Sequence, residues 1–258
     1  MLFSGRTATM SNFPLVDNLQ FIKRVGFDGV EIALLDQHFH FVPELLEKHV
    51  MERVCSETLR LGLAPVSVSC HMNYVYDDAA FSAVQKAIAR VCGYGSNILI
   101  VSNGPKQKGY FDKDEWNRLV VRTRELAKVA EDCGVLMAHE FEPGFIVGTT
   151  QELLQLMDEV NSPNLVCNLD VGHSFLCDPD PLRAIADLGD RIVHGHVDNV
   201  LRGVHRHLPP QHGDMELPQF FAALQEVRFT GALALDLYGV DYRAVASDAL
   251  GYLRSLDG

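Results

Sequence analysis

The 258-residue chain contains no lysine- or arginine-rich run, and its formal charge is −12, from 22 basic against 34 acidic residues. Nucleic-acid binders need a basic face to meet phosphate, so no DNA or RNA partner is expected. No apolar stretch reaches the roughly eighteen residues that would span a bilayer, so no membrane partner is expected either. The opening "MLFSGRTATM" lacks the charged-then-apolar layout of a signal peptide, which points to a cytoplasmic protein. The six cysteines (Cys55, Cys70, Cys92, Cys133, Cys167 and Cys177) include no C-x-x-C pair. They read as reduced, mostly buried thiols, not as a disulfide frame or a structural zinc site. No G-x-G-x-x-G follows the first strand-like run, which argues against an open dinucleotide-binding sheet.

What is present is a regular alternation. Eight short β-rich runs recur: "LFSG", "DGVEIAL", "PVSVSCH", "NILIVSN", "VLMAHEFE", "LVCNLDVG", "IVHGHV" and "ALALDL". Between them lie segments of helical period. "LVDNLQFIKRVG" places Leu15, Val16, Leu19, Ile22 and Val25 on one face. "PELLEKHVMERVCSETLRLG" begins with proline and ends with glycine, as one continuous helix would. Strands alternating with helices imply a parallel sheet, and eight units within 258 residues predict closure into a single α/β domain, a (β/α)8 barrel covering 1–258.

Such a barrel carries its active site at the C-terminal ends of its strands. There the fifth run delivers Glu140 and Glu142, the sixth Asp170 and then His173, the seventh His194 and His196, and the eighth Asp236. A carboxylate in the middle of "ALALDLYG" is costly to bury unless a cation pairs with it. One acid or imidazole from each of four consecutive strands would meet that need by binding one divalent ion. The set Glu140, Asp170, His196 and Asp236 offers three oxygen donors and one nitrogen, which suits manganese best, with magnesium, cobalt or zinc as alternatives. Each residue alone also has an ordinary explanation: Asp170 as a helix cap, or Asp236 as partner of a nearby arginine.

In order and spacing, "HEFEPG", "NLDVGHSF", "GHVDN" and "LALDLYG" resemble the xylose-isomerase-like barrels, the superfamily of sugar phosphate isomerases and epimerases. The resemblance covers nearly the whole chain and is strongest from residue 134 to 238. It implies that Glu140, Asp170, His196 and Asp236 are metal ligands, with Glu140, Asp236 and His173 in catalytic roles. It implies substrate contact for His173, for Arg202, six residues after His196, and for His71, with Glu142 touching substrate or supporting the ligands. One departure stands out: the epimerases carry glutamate on strand eight, where this chain has the shorter Asp236. The related endonuclease-four-like AP endonucleases supply a histidine after strand four, where this chain has Asn103, and a later Asp-x-His pair, where it has His205 and His207. That departure and the acidic charge argue against DNA repair.

The stretch "RIVHGHVDNVLRGVHRHLPPQHGD" carries five histidines. His196 is the expected ligand, with His194 hydrogen-bonded beneath it. His205 and His207 are expected in a loop with Arg202, as substrate-recognition groups or a second metal position, and His212 is given no role. The function implied is a metal-dependent isomerase or epimerase of a sugar or sugar derivative, abstracting a proton beside a carbonyl through a metal-stabilised enediolate. The alternatives are a dehydratase or lyase acting on an inosose or 3-keto-glycoside, and a barrel that binds a metabolite without turning it over. A small-molecule sugar or polyol-derived substrate is the expected partner, and a homo-oligomer is left open.

Overall fold

The computed structural model describes residues 1–257. Eight parallel strands close into a barrel: β1 (Leu2–Arg6), β2 (Gly29–Ala33), β3 (Ala64–Cys70), β4 (Ile98–Val101), β5 (Leu136–His139), β6 (Leu165–Asp170), β7 (Ile192–Val197) and, last in the chain, β10 (Ala232–Leu235). Neighbours follow chain order, and β1 pairs with both β2 and β10 to seal the ring. Six of the eight runs read from sequence contain one of these strands, and the other two miss one end residue, Arg6 of β1 and Ala64 of β3. The ladders stop a residue or more short of the polar ends, so Glu140, Glu142, His71 and Asp236 lie just past their strands, where loops can aim them.

The helices start and stop where their ends are satisfied. In α1 (Leu15–Val25), Leu19 and Ile22 are buried, and the helix ends at Gly26, whose φ of 104° lets its N–H reach Ile22 O and Lys23 O. Asp112 caps α4 (Lys113–Cys133) by accepting from the N–H groups of Asp114 and Glu115. The single helix expected from Pro43 to Gly62 is instead a short turn at Pro43–Leu46 followed, after the extended Glu47, by α2 (Lys48–Arg60). Tertiary contacts explain the break: Tyr94 Oη and Arg90 Nη1 donate to the carbonyls of Leu45 and Leu46, which a continuing helix would have used itself. The other main helices are α3 (Asp78–Ile88), α5 (Thr150–Val160), α6 (Val171–Cys177), α7 (Pro181–Leu188), α8 (Leu217–Glu226) and α9 (Tyr242–Leu256). No described helix is long and apolar enough to cross a membrane.

The cysteines are all free, but only Cys70 and Cys167 are buried. Cys92, within the short 3-10 helix Val91–Tyr94, and Cys133, the last residue of α4, are exposed, so "mostly buried" overstated their seclusion.

The loop expected around His205 and His207 is an antiparallel hairpin, β8 (Asn199–Leu201) and β9 (Val204–Leu208). It turns at Gly203, whose φ is 74°. Asn199 fastens its base: Nδ2 donates to Pro210 O (2.9 Å) and Met215 O (3.3 Å), and Oδ1 accepts from Met215 N–H (3.0 Å) and Val200 N–H (2.9 Å). Gly213 is forced here, since a Cβ would lie 2.1 Å from Asn199 Oδ1. Asn199→Ala leaves several buried backbone groups unsatisfied and is expected to cost about 1–3 kcal/mol. Denaturant unfolding measures the cost, and faster hydrogen exchange at Met215 N–H reports the loosened base.

Candidate metal centre and its cavity

The barrel interior is apolar below and polar above. Ile100, Ala138 and Val166 form a small buried cluster. Counting by twos, Ser102, Glu140 and Asn168 share their faces further along the strands. From there a continuous polar chain crosses the barrel. Ser67 Oγ is 3.0 Å from His194 Nε2, and His194 Nδ1 is 2.7 Å from Asn168 Oδ1. Asn168 Nδ2 donates to Glu140 Oε2 (2.6 Å), which lies 3.0 Å from His196 Nδ1. On the far side His196 Nε2 is 3.0 Å from Glu31 Oε2, and Glu31 Oε1 accepts from Arg6 Nε at 2.7 Å. Arg6 Nη1 closes the series by pairing with Asp236 Oδ1.

Three carboxylates therefore meet one imidazole nitrogen. Around His196 Nδ1 stand Glu140 Oε2 at 3.0 Å, Asp236 Oδ2 at 3.5 Å and Asp170 Oδ2 at 3.9 Å. Ligand atoms of Glu140, Asp170 and His196 all lie within 4.8 Å of one another. All four residues are buried. Asp170 also caps α6, as its Oδ1 accepts from His173 N–H at 2.8 Å, so its ordinary role and its place at the centre coexist. The same holds for Asp236 and its arginine.

Charge in this centre follows from burial and pairing. Burial alone would raise Glu31, but Arg6 and then His196 hold it well below the usual carboxylate range. Burial would lower His196, yet Glu140 and Glu31 hold it well above the ordinary imidazole value. Burial, and then the Asp198 carboxylate, push Asp170 well up. Burial followed by Glu140 raises Glu142 to about 8, so it keeps its proton at neutrality. Burial lowers His173 to about 3, so it is neutral.

The residues fit a divalent cation. Asp170 Oδ2 and His196 Nδ1 are buried without a hydrogen-bond partner in proper geometry, an arrangement that native interiors avoid. In the protein alone, the proton on His196 and the guanidinium of Arg6 balance the carboxylates. An ion bound by three oxygens and one nitrogen would replace that proton.

Above the centre opens a cavity of about 610 Å³, lined by Glu140, Glu142, His71, His173, His205, His207 and Asp236 among others. His71 Nε2 stands 3.9 Å from Glu140 Oε2. His207 Nδ1 lies 2.9 Å from Asp198 Oδ2, and although burial opposes it, Asp198 raises His207 to about 10. Arg202 is placed elsewhere: its guanidinium covers the Phe175 ring at 4.7 Å, its N–H donates to Asp214, and on this hairpin Arg206 is the arginine that lines the cavity. Lys106 and Lys108 pair with Glu152 and Asp112 and form no phosphate cradle. Tyr238 lines the cavity under Phe39, whose ring stacks on it at 5.7 Å.

Arg6, Glu31 and Phe39 had not been singled out in the sequence. A charged residue inside the apolar run "GVEIA" was the available signal for Glu31, and in the structure all five positions are buried.

The profile described as "Xylose isomerase-like TIM barrel" matches residues 19–256. The chain belongs to that family. It is 28% identical over 134 residues to a D-psicose 3-epimerase of Enterocloster bolteae, covering 51% of this chain but only 43% of that relative's length. It is 25% identical over 226 residues to an L-ribulose 3-epimerase of Methylomonas sp., covering 83% of this chain and 75% of the relative. Other relatives are inosose dehydratases and a 3-dehydroshikimate dehydratase. Among solved structures, a probable 3-DHS dehydratase of Bacillus anthracis superposes with a TM-score of 0.84 at 18% identity, covering 98% of this chain and 99% of that one, a likeness of fold alone.

Proposed function

We propose that this family member is a divalent-metal-dependent isomerase or epimerase of a sugar or sugar derivative, moving a proton next to a carbonyl. One observation carries the reading: Glu140, Asp170 and Asp236 each bring an oxygen within 4 Å of His196 Nδ1 on the floor of an open cavity. A bound cation, Mn2+ best matching the oxygen-rich set, would polarise the substrate carbonyl and neighbouring hydroxyl and lower the pKa of the C–H between them.

The chain's own groups do the rest. Glu140 takes the proton, its Oε2 fixed by Asn168, which His194 and Ser67 hold in turn. His173, neutral and anchored by Nδ1 to Phe141 O at 2.9 Å, presents Nε2 toward substrate hydroxyls. Asp236 is tied to Arg6 and makes a poor base. Transfer by one carboxylate on one face of the substrate therefore fits better than a scheme with two opposed bases.

Elimination is the second reading, and Glu142 favours it. This carboxyl keeps its proton at neutrality and lines the same cavity as Glu140, so an acid for a leaving hydroxyl stands beside the base. Incubation with Mn2+ in D2O across ketoses, inososes and 3-keto-glycosides separates the two. Solvent deuterium entering a product of unchanged composition supports proton transfer, whereas loss of water or of an aglycone supports elimination. Metal-loaded protein that produces neither outcome on any of them contradicts both.

Chelation gives a further expectation. Dialysis against EDTA should abolish turnover, and Mn2+ should restore it. Activity that survives in verified metal-free protein rules out the metal-dependent reading.

A further inference from the structure

The cavity also holds a hydroxyl that the proposed reaction does not use, that of Tyr238. Tyr238 follows Asp236 by two residues, just past β10, and both line the cavity. Its Oη lies 3.4 Å from Arg6 Nη1. Arginine carries only N–H donors, so the phenol oxygen accepts there and its own hydrogen must point elsewhere. Among the described residues the hydroxyl has no acceptor of its own. An oxygen that accepts from a guanidinium has its remaining O–H polarised, which makes it the stronger donor. The same Arg6 Nη1 pairs with Asp236 Oδ1, so the phenol stands one nitrogen away from a candidate metal ligand.

The ring is held from two sides. Phe39 stacks on it with centroids 5.7 Å and planes 28° apart, and His207 meets it edge to face at 5.2 Å and 68°. Phe39 takes that place at a backbone cost. Its φ is 61°, in the left-handed region that bulky residues avoid. It is also 60% exposed, so core burial does not account for the strain. A tight turn imposes it: Asp36 Oδ1 accepts from the N–H groups of His38 (2.8 Å) and His40 (2.9 Å), and Leu35 bridges to Phe41 across the base. Strain that the surroundings over-determine in this way gathers at ligand clamps. Here it fixes the phenol ring over the cavity.

We infer that Tyr238 is a further catalytic residue: its hydroxyl, polarised by Arg6 and held by Phe39, donates to the substrate oxygen that gains charge as Glu140 removes the proton. The phenol keeps its own hydrogen throughout, so no bond to it forms or breaks. A hydrogen bond to a charged oxygen is stronger than one to a neutral oxygen, so the contact favours the transition state over the bound substrate. Asp236 then acts through Arg6, holding the guanidinium against the phenol. The inference rests on proton removal by Glu140, a step common to isomerisation and elimination.

Two small probes on Mn2+-loaded protein test this without turnover. Glycolohydroxamate offers two adjacent oxygens, one of them anionic when chelated, whereas dihydroxyacetone offers the neutral hydroxy-carbonyl. Titrations followed by water-proton relaxation at the Mn2+ read both affinities. Tyr238→Phe should weaken glycolohydroxamate about 10- to 100-fold and dihydroxyacetone about threefold at most. Its Mn2+ affinity should stay within about threefold of wild type. Phe39→Gly relaxes the strained turn, so it should keep or raise Tm and still weaken glycolohydroxamate by more than about threefold. Tyr238→Phe that leaves glycolohydroxamate unchanged, or weakens both probes equally, overturns the inference while the metal centre stands. So does wild-type protein that takes up Mn2+ but no glycolohydroxamate. Wild-type protein that takes up no Mn2+ overturns the proposed reaction, and this inference with it.

Discussion

Glu140→Gln is expected to lower kcat/KM by about 10³-fold or more, because it removes a general base worth about 10²–10⁴-fold and weakens the metal centre at once. Glutamine nearly matches the shape and can still accept from Asn168 Nδ2, now at 2.6 Å, so the polar chain through His194 and Ser67 stays in place. What is lost is charge. His196 Nδ1, 3.0 Å away, loses its nearest anion, and a cation loses one of three oxygen ligands. Steady-state kinetics at saturating Mn2+, with a thermal melt to verify folding, measures the effect. Activity within about threefold of wild type would mean that Glu140 stabilises no transition state.

The largest effect on stability is expected at Arg6. This guanidinium is 2% exposed and lies between two buried carboxylates, Glu31 and Asp236. Arg6→Met fills much of the volume but leaves both acids unpaired. Breaking a buried ion pair by removing one partner costs about 3–5 kcal/mol. For a chain of this size that corresponds to a fall in Tm of about 6–20 °C. The loss also carries a pH signature. Arg6 holds Glu31 below its ordinary value of 4.5, so the stability this pairing contributes is present above about pH 4.5 and is lost as pH falls through the lower folded value. The gap between wild type and Arg6→Met should therefore narrow in acid. Urea unfolding of metal-free protein at neutral and acidic pH tests both points. A neutral-pH difference under about 1 kcal/mol would place the pair among interactions that contribute little.

The eight strands were legible because each is a short run of β-branched and apolar residues, several of them preceded by a helix that ends in glycine, as at Gly26 and Gly134, a local pattern that the barrel preserves. The strand-end acids were legible for a related reason: Glu140, Asp170 and Asp236 interrupt apolar runs and need a partner. Arg6 and Glu31 escaped because each is the answer to the other. They sit 25 residues apart on neighbouring strands, and no local pattern joins them. The hairpin escaped because "NVLRGVHRHL" alternates weakly and its imidazoles and arginines mask the strand period. Its folding over the barrel mouth is a tertiary event held by Asn199, and it brings Arg206 to the cavity wall while Arg202 settles on Phe175. The break between Pro43 and Lys48 was likewise set from outside, by Tyr94 and Arg90 drawing off two carbonyls.

Anomalous diffraction from crystals grown with Mn2+ tests the central claim most directly. The expected result is a strong peak bounded by oxygens of Glu140, Asp170 and Asp236 and by His196 Nδ1. A map with no peak among those four side chains, in crystals that take up manganese elsewhere or not at all, would contradict it.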